Sequence, residues 1–241
     1  MNLLMGIIGL TILAVQTPNE PQYVTDSFRI RYYQRLSSAD IDTISRLFEK
    51  WYRQYRREYD LSLDGRLDVY LVPSYERFRA VTKSTVLKEG IFRNGKVYLV
   101  VLSPLGESGR LGDVISRVLM RALLEKNLQC PKWLAEAYSL YLGNSLDQFG
   151  RPAQSSARTF EDLNEEFSRA STEQRIREVY AKLAATAHFF SDRYGRRAFK
   201  SLILECKTAS SLGEAMRNVF RETLSDIEKA WMKAIYADRL H

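Results

Sequence analysis

The stretch that decides the fold is GDVISRVLMRALLEKNLQCPKWLAEAYSLYLG, residues Gly112 to Gly143. It contains two runs rich in Leu, Val, Ala and Met, separated by the polar break NLQCP. Because proline is tolerated in the first turn of a helix but not in its interior, a second helix would start at this proline. We therefore predict two helices joined by a short turn, from Leu111 to Lys126 and from Pro131 to Gly143.

The sequence before this stretch carries both strand and helix patterns. SFRIRYY (27–33) and RLDVYLVP (66–73) place apolar residues at every second position, which is the period of a half-buried strand. Between them, SSAD (37–40) offers helix caps and is followed by apolar residues three and four apart. After the second strand, SYERFRAVT (74–82) predicts a short helix. GIFRNGKVYLVVLSP predicts a hairpin, because Asn94 and Gly95 can adopt the positive φ angles of a type I′ turn.

The sequence after Gly143 predicts helices only, with a break at Gly195 that suits a helix end. The helices are expected at about Phe160–Ala170, Thr172–Tyr194, Arg196–Glu205, Ser211–Phe220 and Leu224–Tyr236. This order predicts the α+β class, with a small mixed or antiparallel sheet and its helices first and an all-helical C-terminal half after it. We predict one domain over 23–241, with a sheet-containing part (23–110) and a helical part (111–241).

The amino terminus contains the uncharged apolar run LLMGIIGLTILAV, Leu3 to Val15. It is short for a spanning helix, which needs roughly 20 residues, but it suits the apolar core of a secretion signal. Basic residues before it and a good cleavage site are both missing, so a retained anchor and a buried core helix are alternatives. We predict that residues 1–22 are a signal peptide or membrane anchor plus linker. The protein would then be exported, periplasmic or extracellular, or attached to the membrane through residues 3–15.

The composition indicates a folded, moderately basic protein. Of the 241 residues 45% are hydrophobic, and the net charge is +7. Such a charge could favour anionic membranes or an acidic partner. The basic aromatic segment LFEKWYRQYRREY (47–59) has its rings on an apolar stripe, whereas a stacking platform for nucleic acid needs exposed rings. We therefore expect no nucleic-acid partner.

Residues that carry chemistry are scarce in this chain. It has two histidines, His188 and the terminal His241, which cannot supply a histidine-rich zinc site. His188 lies beside two phenylalanines, and we interpret it as a buried core residue. The sequence has no phosphate loop and no nucleophile elbow. We predict no cofactor and no metal.

The two cysteines, Cys130 and Cys206, could pair in an oxidising compartment. Two free buried thiols are the alternative. The chain has no Cys-x-x-Cys motif, so the cysteines do not indicate a metal site.

Six fragments, in their order and spacing, resemble the peptidase MA-like domain of gluzincin-type zinc peptidases over residues 27 to about 236. FRIRYY resembles its opening strand, and RLDVYLVPSYERFRAVT its second strand and continuation. EGIFRNGKVYLV resembles the strand at the sheet edge above the active cleft. PKWLAEAYSLYL resembles the helix with Pro-x-Trp-Leu-x-Glu-Gly. AHFFSDRYGRRAFKSLI and SLGEAMRNVFRETLSDIEKAWMKAI resemble the helices that follow the site.

In that family the first site helix reads His-Glu-x-x-His, whose histidines hold zinc and whose glutamate takes a proton from zinc-bound water. The resemblance aligns the histidines with Arg117 and Arg121 and the glutamate with Val118. It aligns the third zinc ligand with Glu136 and the glycine after that ligand with Ala137. Arginine offers only donors and stays protonated, so it cannot bind zinc. Valine cannot move a proton.

The resemblance therefore implies a peptidase-like fold without peptidase activity, which acts by binding a protein partner, with the former substrate cleft as the first place to look for that partner. We also expect Arg117 or Arg121, Arg121 rather than Arg117, to pair with Glu136. The alternatives are a hydrolase with a relocated site, for example using Glu136 with His188, and a structural subunit of an envelope complex. A last alternative is that the helices are unrelated to peptidases, with both arginines solvated and Glu136 on the surface.

Overall fold

The computed structural model describes residues 21–33, 36–87, 89–101, 110–152 and 157–236. Its strands are β1 (Gln22–Val24), β2 (Phe28–Arg31), β3 (Leu67–Val72), β4 (Gly90–Arg93) and β5 (Lys96–Val100). Its helices are α1 (Ser38–Tyr59), α2 (Tyr75–Thr82), α3 (Leu111–Asn127), α4 (Lys132–Leu142), α5 (Phe160–Arg169), α6 (Glu173–Glu205), α7 (Leu212–Phe220) and α8 (Leu224–Tyr236), with a 3₁₀ turn at Leu146–Phe149. The predicted α+β class with a helical C-terminal half is confirmed.

The five strands form one mixed sheet in the order β1-β2-β3-β5-β4. β2, β3 and β5 are parallel, whereas β1 and β4 are antiparallel edge strands. The β4–β5 hairpin turns at Asn94 and Gly95, whose φ angles are 52° and 75°, as the Asn-Gly pair predicts. β1 was not predicted; it has three exposed residues and starts at Gln22, where the predicted linker ends.

Helices cover the inner face of the sheet. The ring of Phe48 in α1 packs 5.1 Å from the ring of Phe28 in β2. The middle of α3 lies close under the edge strand β4, because a Cβ built on Gly90 would come within 2.9 Å of Val114 and 3.2 Å of Val118. Glycine at residue 90 therefore lets α3 approach β4, and this approach sets the position of α3 relative to the sheet.

The helical half is built around α4 and the long helix α6. The two helices predicted on either side of Gly195 are nearly continuous in α6, and Gly195 lies between them at φ 82° and ψ 160°. That backbone conformation is open to glycine but strained for other residues, so the predicted break is confirmed. Among the described residues, no helix is long and apolar enough to cross a membrane. The apolar run Leu3–Val15 lies outside the described residues.

Candidate functional site

The predicted site positions lie on α3 and α4, which pack against each other as a helical hairpin. The end of α4 comes very close to α3, because a Cβ built on Gly143 would lie 2.5 Å from the Cβ of Arg117 and 2.9 Å from the carbonyl oxygen of Asp113. Glycine at residue 143 therefore lets α4 approach the side of α3 that carries Arg117. Arg121 on α3 and Glu136 on α4 also lie between the two helices. All three of these charged residues are buried, with 4%, 9% and 6% of their surfaces exposed.

Arg121 and Glu136 form a buried ion pair between the two helices. Nε of Arg121 lies 3.0 Å from Oε2 of Glu136, and the two side chains are 11% and 8% exposed. A second contact of Arg121 joins its Nη2 to Glu125, one turn further along α3, at 2.8 Å. The expected pairing of Arg121 with Glu136 is present, and the alternative of solvated arginines and a surface Glu136 is wrong.

The other oxygen of Glu136 is held by a residue that the sequence did not indicate. The hydroxyl of Tyr180, on α6, donates to Oε1 of Glu136 at 3.2 Å. Burial raises the pKa of Tyr180, and the negative charge of Glu136 raises it further, so this hydroxyl stays protonated as a donor. Tyr180 lies 44 residues after Glu136 in the chain, and only the packing of α6 on α4 brings the two together.

Arg117 is buried, and no carboxylate of the described residues lies in hydrogen-bonding contact with it. Its Nη2 donates to the carbonyl oxygen of Gly90 in β4 at 2.9 Å, while its buried Nε has no hydrogen-bond partner among the described residues. Loss of hydration lowers the pKa of Arg117, and the nearby charge of Glu136 partly opposes that effect. Arg117 therefore connects α3 to the sheet edge, and Arg121 connects α3 to α4.

Val118, aligned with the peptidase general base, is a core residue with 1% of its surface exposed. It packs under Gly90, and Ala137, which follows Glu136, is fully buried. The space at these positions is filled with hydrocarbon, which cannot accept or release a proton.

Two small cavities lie beside β4, and Tyr180 lines one of them. One, of about 170 Å³, lies between Ile91, the segment 83–87 and Tyr180. The other, of about 270 Å³, lies between Tyr75, Glu89 and Phe149. The rings of Phe149 and Phe167 pack on Tyr180, with centroids 5.2 and 6.3 Å away. Aromatic side chains therefore occupy much of the space between the sheet edge and the helical half.

The two cysteines are brought together, as one of the two alternatives requires. Their Sγ atoms lie 3.3 Å apart, although the residues are 76 positions apart in the chain. Both are free thiols in this structure. The hydrogen bond that Cys130 donates to the sulfur of Cys206 raises the pKa of Cys130 and lowers that of Cys206. Whether they become bridged stays a prediction.

The interpretation of His188 as a core residue is wrong. Its side chain is 49% exposed, and Nε2 lies 3.8 Å from Oδ1 of Asp147. Successive residues of a helix point about 100° apart, so Phe189 and Phe190 enter the core while His188 faces an open cavity of about 1050 Å³. Tyr180, which contacts Glu136, lies eight residues before His188, about 12 Å along α6. The structure does not bring Glu136 and His188 into contact.

The sequence also did not indicate a partly buried ion pair further along α6. The ammonium group of Lys182, whose side chain is 6% exposed, contacts the carboxylate of Glu166 on α5. The sequence predicts that both carboxylates of Glu165-Glu166 are solvated. In the structure the side chain of Glu165 is 51% exposed, whereas that of Glu166 is 24% exposed. Over the described residues, no three or more His, Cys, Asp or Glu side chains are grouped so that they could hold a metal ion.

Comparison with known proteins leaves the class open. No model of a protein family matches the chain. No curated protein matches it either.

Proposed function

We propose that this protein is a non-catalytic member of the peptidase MA-like class that is exported or membrane-anchored and acts by binding another protein. The observation that carries the proposal is the buried ion pair between Arg121 and Glu136. It joins two positions that hold zinc in the peptidases that the sequence resembles. A guanidinium fixed between two helices can supply the structural link of a metal ion, but it has no open coordination position at which water could be activated.

Three further features are consistent with this proposal. The antiparallel edge strand β4 lies next to α3, as the resemblance of its sequence to a cleft-edge strand requires. Arg117 binds the backbone of that strand. Val118 contributes only hydrocarbon where a peptidase needs a carboxylate. Arg117 and Val118, at positions where the peptidases have catalytic groups, therefore favour a rigid scaffold over hydrolysis.

The proposal predicts that zinc binding can be restored by two substitutions. In the double variant Arg117→His with Arg121→His, two imidazoles would lie one helical turn apart, next to Glu136. Two histidines and a glutamate are a known zinc ligand set. We expect about one zinc per chain in the purified variant, measured by elemental analysis after dialysis, and none in the unaltered protein.

The matched control adds Glu136→Gln to the double variant, which removes the third ligand and should abolish tight zinc binding. Circular dichroism of each variant with and without zinc reports whether it folds. A folded double variant without affinity for zinc would contradict the peptidase-like arrangement of the helices. Stoichiometric zinc in the unaltered protein would contradict the proposed loss of the zinc site.

For the partner, we propose a protein that contacts the surface around the cavity of about 270 Å³ beside β4. Tyr75 on α2 is 40% exposed and lines the cavity of about 270 Å³ with Glu89 and Phe149. Phe149 in turn packs on Tyr180. A partner bound here would contact Phe149, whose ring packs on Tyr180, the residue that donates to Glu136.

A photo-crosslinking amino acid at Tyr75, in protein expressed in its native envelope, is expected to capture this partner. The matched control is the same amino acid at Val81, which lies on the same helix and is 50% exposed but does not line the cavity. Mass spectrometry would identify the captured chain. Equal capture from both positions, or capture from Val81 alone, would mean that the partner binds elsewhere.

A further inference from the structure

The outer face of the sheet, opposite α1 and α3, presents two rows of side chains that cross all five strands. Strand register aligns Gln22, Arg31, Tyr70, Tyr98 and Ile91 in the first row, and Val24, Arg29, Asp68, Lys96 and Arg93 in the second. We call these two rows the outer face. Among the described helices, α2 packs on this side of the sheet, where Phe78 covers Val72 and Val100. Of the two rows, Ile91 and Tyr98 also pack against this contact, and Arg93 donates to the carbonyl oxygen of Thr82, the last residue of α2.

The outer face is strongly basic. Its two rows carry four cations, Arg29, Arg31, Lys96 and Arg93, and one carboxylate, Asp68, which is a net charge of +3. Asp68 lies 3.3 Å from Arg29 and 4.0 Å from Arg31, so it compensates only part of the charge. The two arginine side chains remain 42% and 36% exposed.

Two tyrosines form the centre of the face, and their arrangement limits what can bind. The rings of Tyr70 and Tyr98 stack on each other with centroids 5.2 Å apart. The guanidinium of Arg31 and the ammonium of Lys96 lie 5.2 and 5.3 Å from the centre of the Tyr70 ring. Because these neighbours already contact the ring, it is poorly placed to stack on a nucleobase. Tyrosines bordered by cations suit the interface between a membrane and water.

The position of β1 connects this face to the apolar run of the amino terminus. Gln22, which opens β1 at the edge of the same sheet, lies only seven positions after Val15. Seven extended residues span at most about 25 Å. If Leu3–Val15 enters a bilayer, the β1 edge of the outer face stays within about 25 Å of the lipid headgroups. Gln22 and Val24 pair directly with Arg31 and Arg29.

We propose that the outer face docks on an anionic lipid bilayer through Arg29, Arg31 and Lys96, with Tyr70 and Tyr98 at the headgroup level. The proposal rests on the membrane-anchored form of the proposed function, because the apolar run supplies the proximity. Cations near an anionic surface each add to binding, and the attraction falls off within a Debye length. The apolar run and the outer face would then attach the domain to the membrane at two places. Two attachments fix the orientation of the domain on the membrane.

The test uses the full chain and two kinds of vesicle, pure phosphatidylcholine and an equal mixture of phosphatidylcholine with phosphatidylglycerol. Flotation measures the partition coefficient. The variant Arg29→Gln, Arg31→Gln, Lys96→Gln is expected to bind the anionic vesicles at least about tenfold more weakly than the unaltered chain. The matched control, Arg53→Gln, Arg56→Gln, Arg57→Gln, removes the same charge from the exposed side of α1 and should bind nearly as well as the unaltered chain.

A second measurement covers the case in which the apolar run alone holds the chain on every vesicle. Amine acylation followed by mass spectrometry should find Lys96 protected on anionic vesicles and reactive on phosphatidylcholine. Lys50, exposed on α1, should react equally on both. Equal reactivity of Lys96 on the two vesicles, or an equal loss of binding in the control variant, would overturn the proposal.

Binding to phosphatidylcholine vesicles reports on the membrane anchor. The difference between the two variants on anionic vesicles reports on the outer face. The anchor and the docking of the outer face can therefore fail separately. Soluble polyglutamate is the last arm of the test. If it binds the outer face with the same dependence on the three cations while anionic vesicles do not, the face accepts an acidic polypeptide and the membrane proposal is wrong.

Discussion

Arg121→Met is expected to lower the free energy of unfolding by about 3–5 kcal/mol, because it leaves the buried carboxylate of Glu136 without its cation. The hydroxyl of Tyr180 would remain as a hydrogen-bond donor to Glu136, but one neutral donor cannot compensate a buried charge. Urea unfolding followed by circular dichroism measures the effect. Glu136→Gln removes the charge itself and keeps an oxygen that can accept from Tyr180, so its cost should be smaller.

The same arginine supplies the control for this prediction. Its contact with Glu125 has similar geometry, at 2.8 Å, but the Glu125 side chain is 42% exposed. Exposed ion pairs contribute little, so Glu125→Gln should cost less than about 1 kcal/mol. A double-mutant cycle of Arg121→Met with Glu136→Gln should show strong coupling. Absence of coupling, or an equal cost for Glu125→Gln, would show that the buried pair does not join the two helices.

Oxidation is expected to join Cys130 to Cys206 and to raise the free energy of unfolding by about 2–4 kcal/mol, since the bridge would close a long loop. With oxidised glutathione as the oxidant, the two thiols give up two electrons and two protons, and glutathione is released as two thiols. One cysteine thiolate attacks a sulfur of glutathione disulfide, and the second cysteine then displaces the bound glutathione. The bridge would tie the turn between α3 and α4 to the end of α6.

Thiol titration of the denatured protein, before and after oxidation, counts the free cysteines directly. We expect two thiols before oxidation and none after it, together with a higher urea midpoint. Cys130→Ser is the control, because it retains one thiol and cannot form the internal bridge, so the oxidant should leave its stability unchanged. Two thiols remaining after oxidation, or an equal shift in the Cys130→Ser variant, would contradict the prediction.

Short-range features of the fold could be predicted from the sequence because each depends on neighbouring residues. Ser37 and Asp40 form a capping box that starts α1, and Asn94 with Gly95 turns the hairpin. Gly195 marks the break in α6. Steric limits on the backbone and local hydrogen bonds set these positions. Strand β1 gave no such signal, because three exposed residues form a strand only when β2 is available to pair with them.

The candidate site could be predicted in part. The pairing of Arg121 with Glu136 was expected from a resemblance that aligned α3 with α4, and from the preference of a buried carboxylate for a cation. Tyr180 could not be predicted, because it is brought to Glu136 from a helix 44 residues further along the chain. His188 was misread because its neighbours in sequence, Phe189 and Phe190, point to a different side of the helix.

The sequence by itself determined the order of the helices and of the strands after β1, which helix faces are apolar, and that the chain lacks the histidines of a zinc site. Tertiary structure alone decided that Arg117 reaches Gly90, that Cys130 meets Cys206 and that four cations share the outer face of the sheet. The physical reason is that these contacts depend on strand order and helix packing. Burial of the whole apolar surface selects both of these, whereas the local preferences of the chain are compatible with many arrangements.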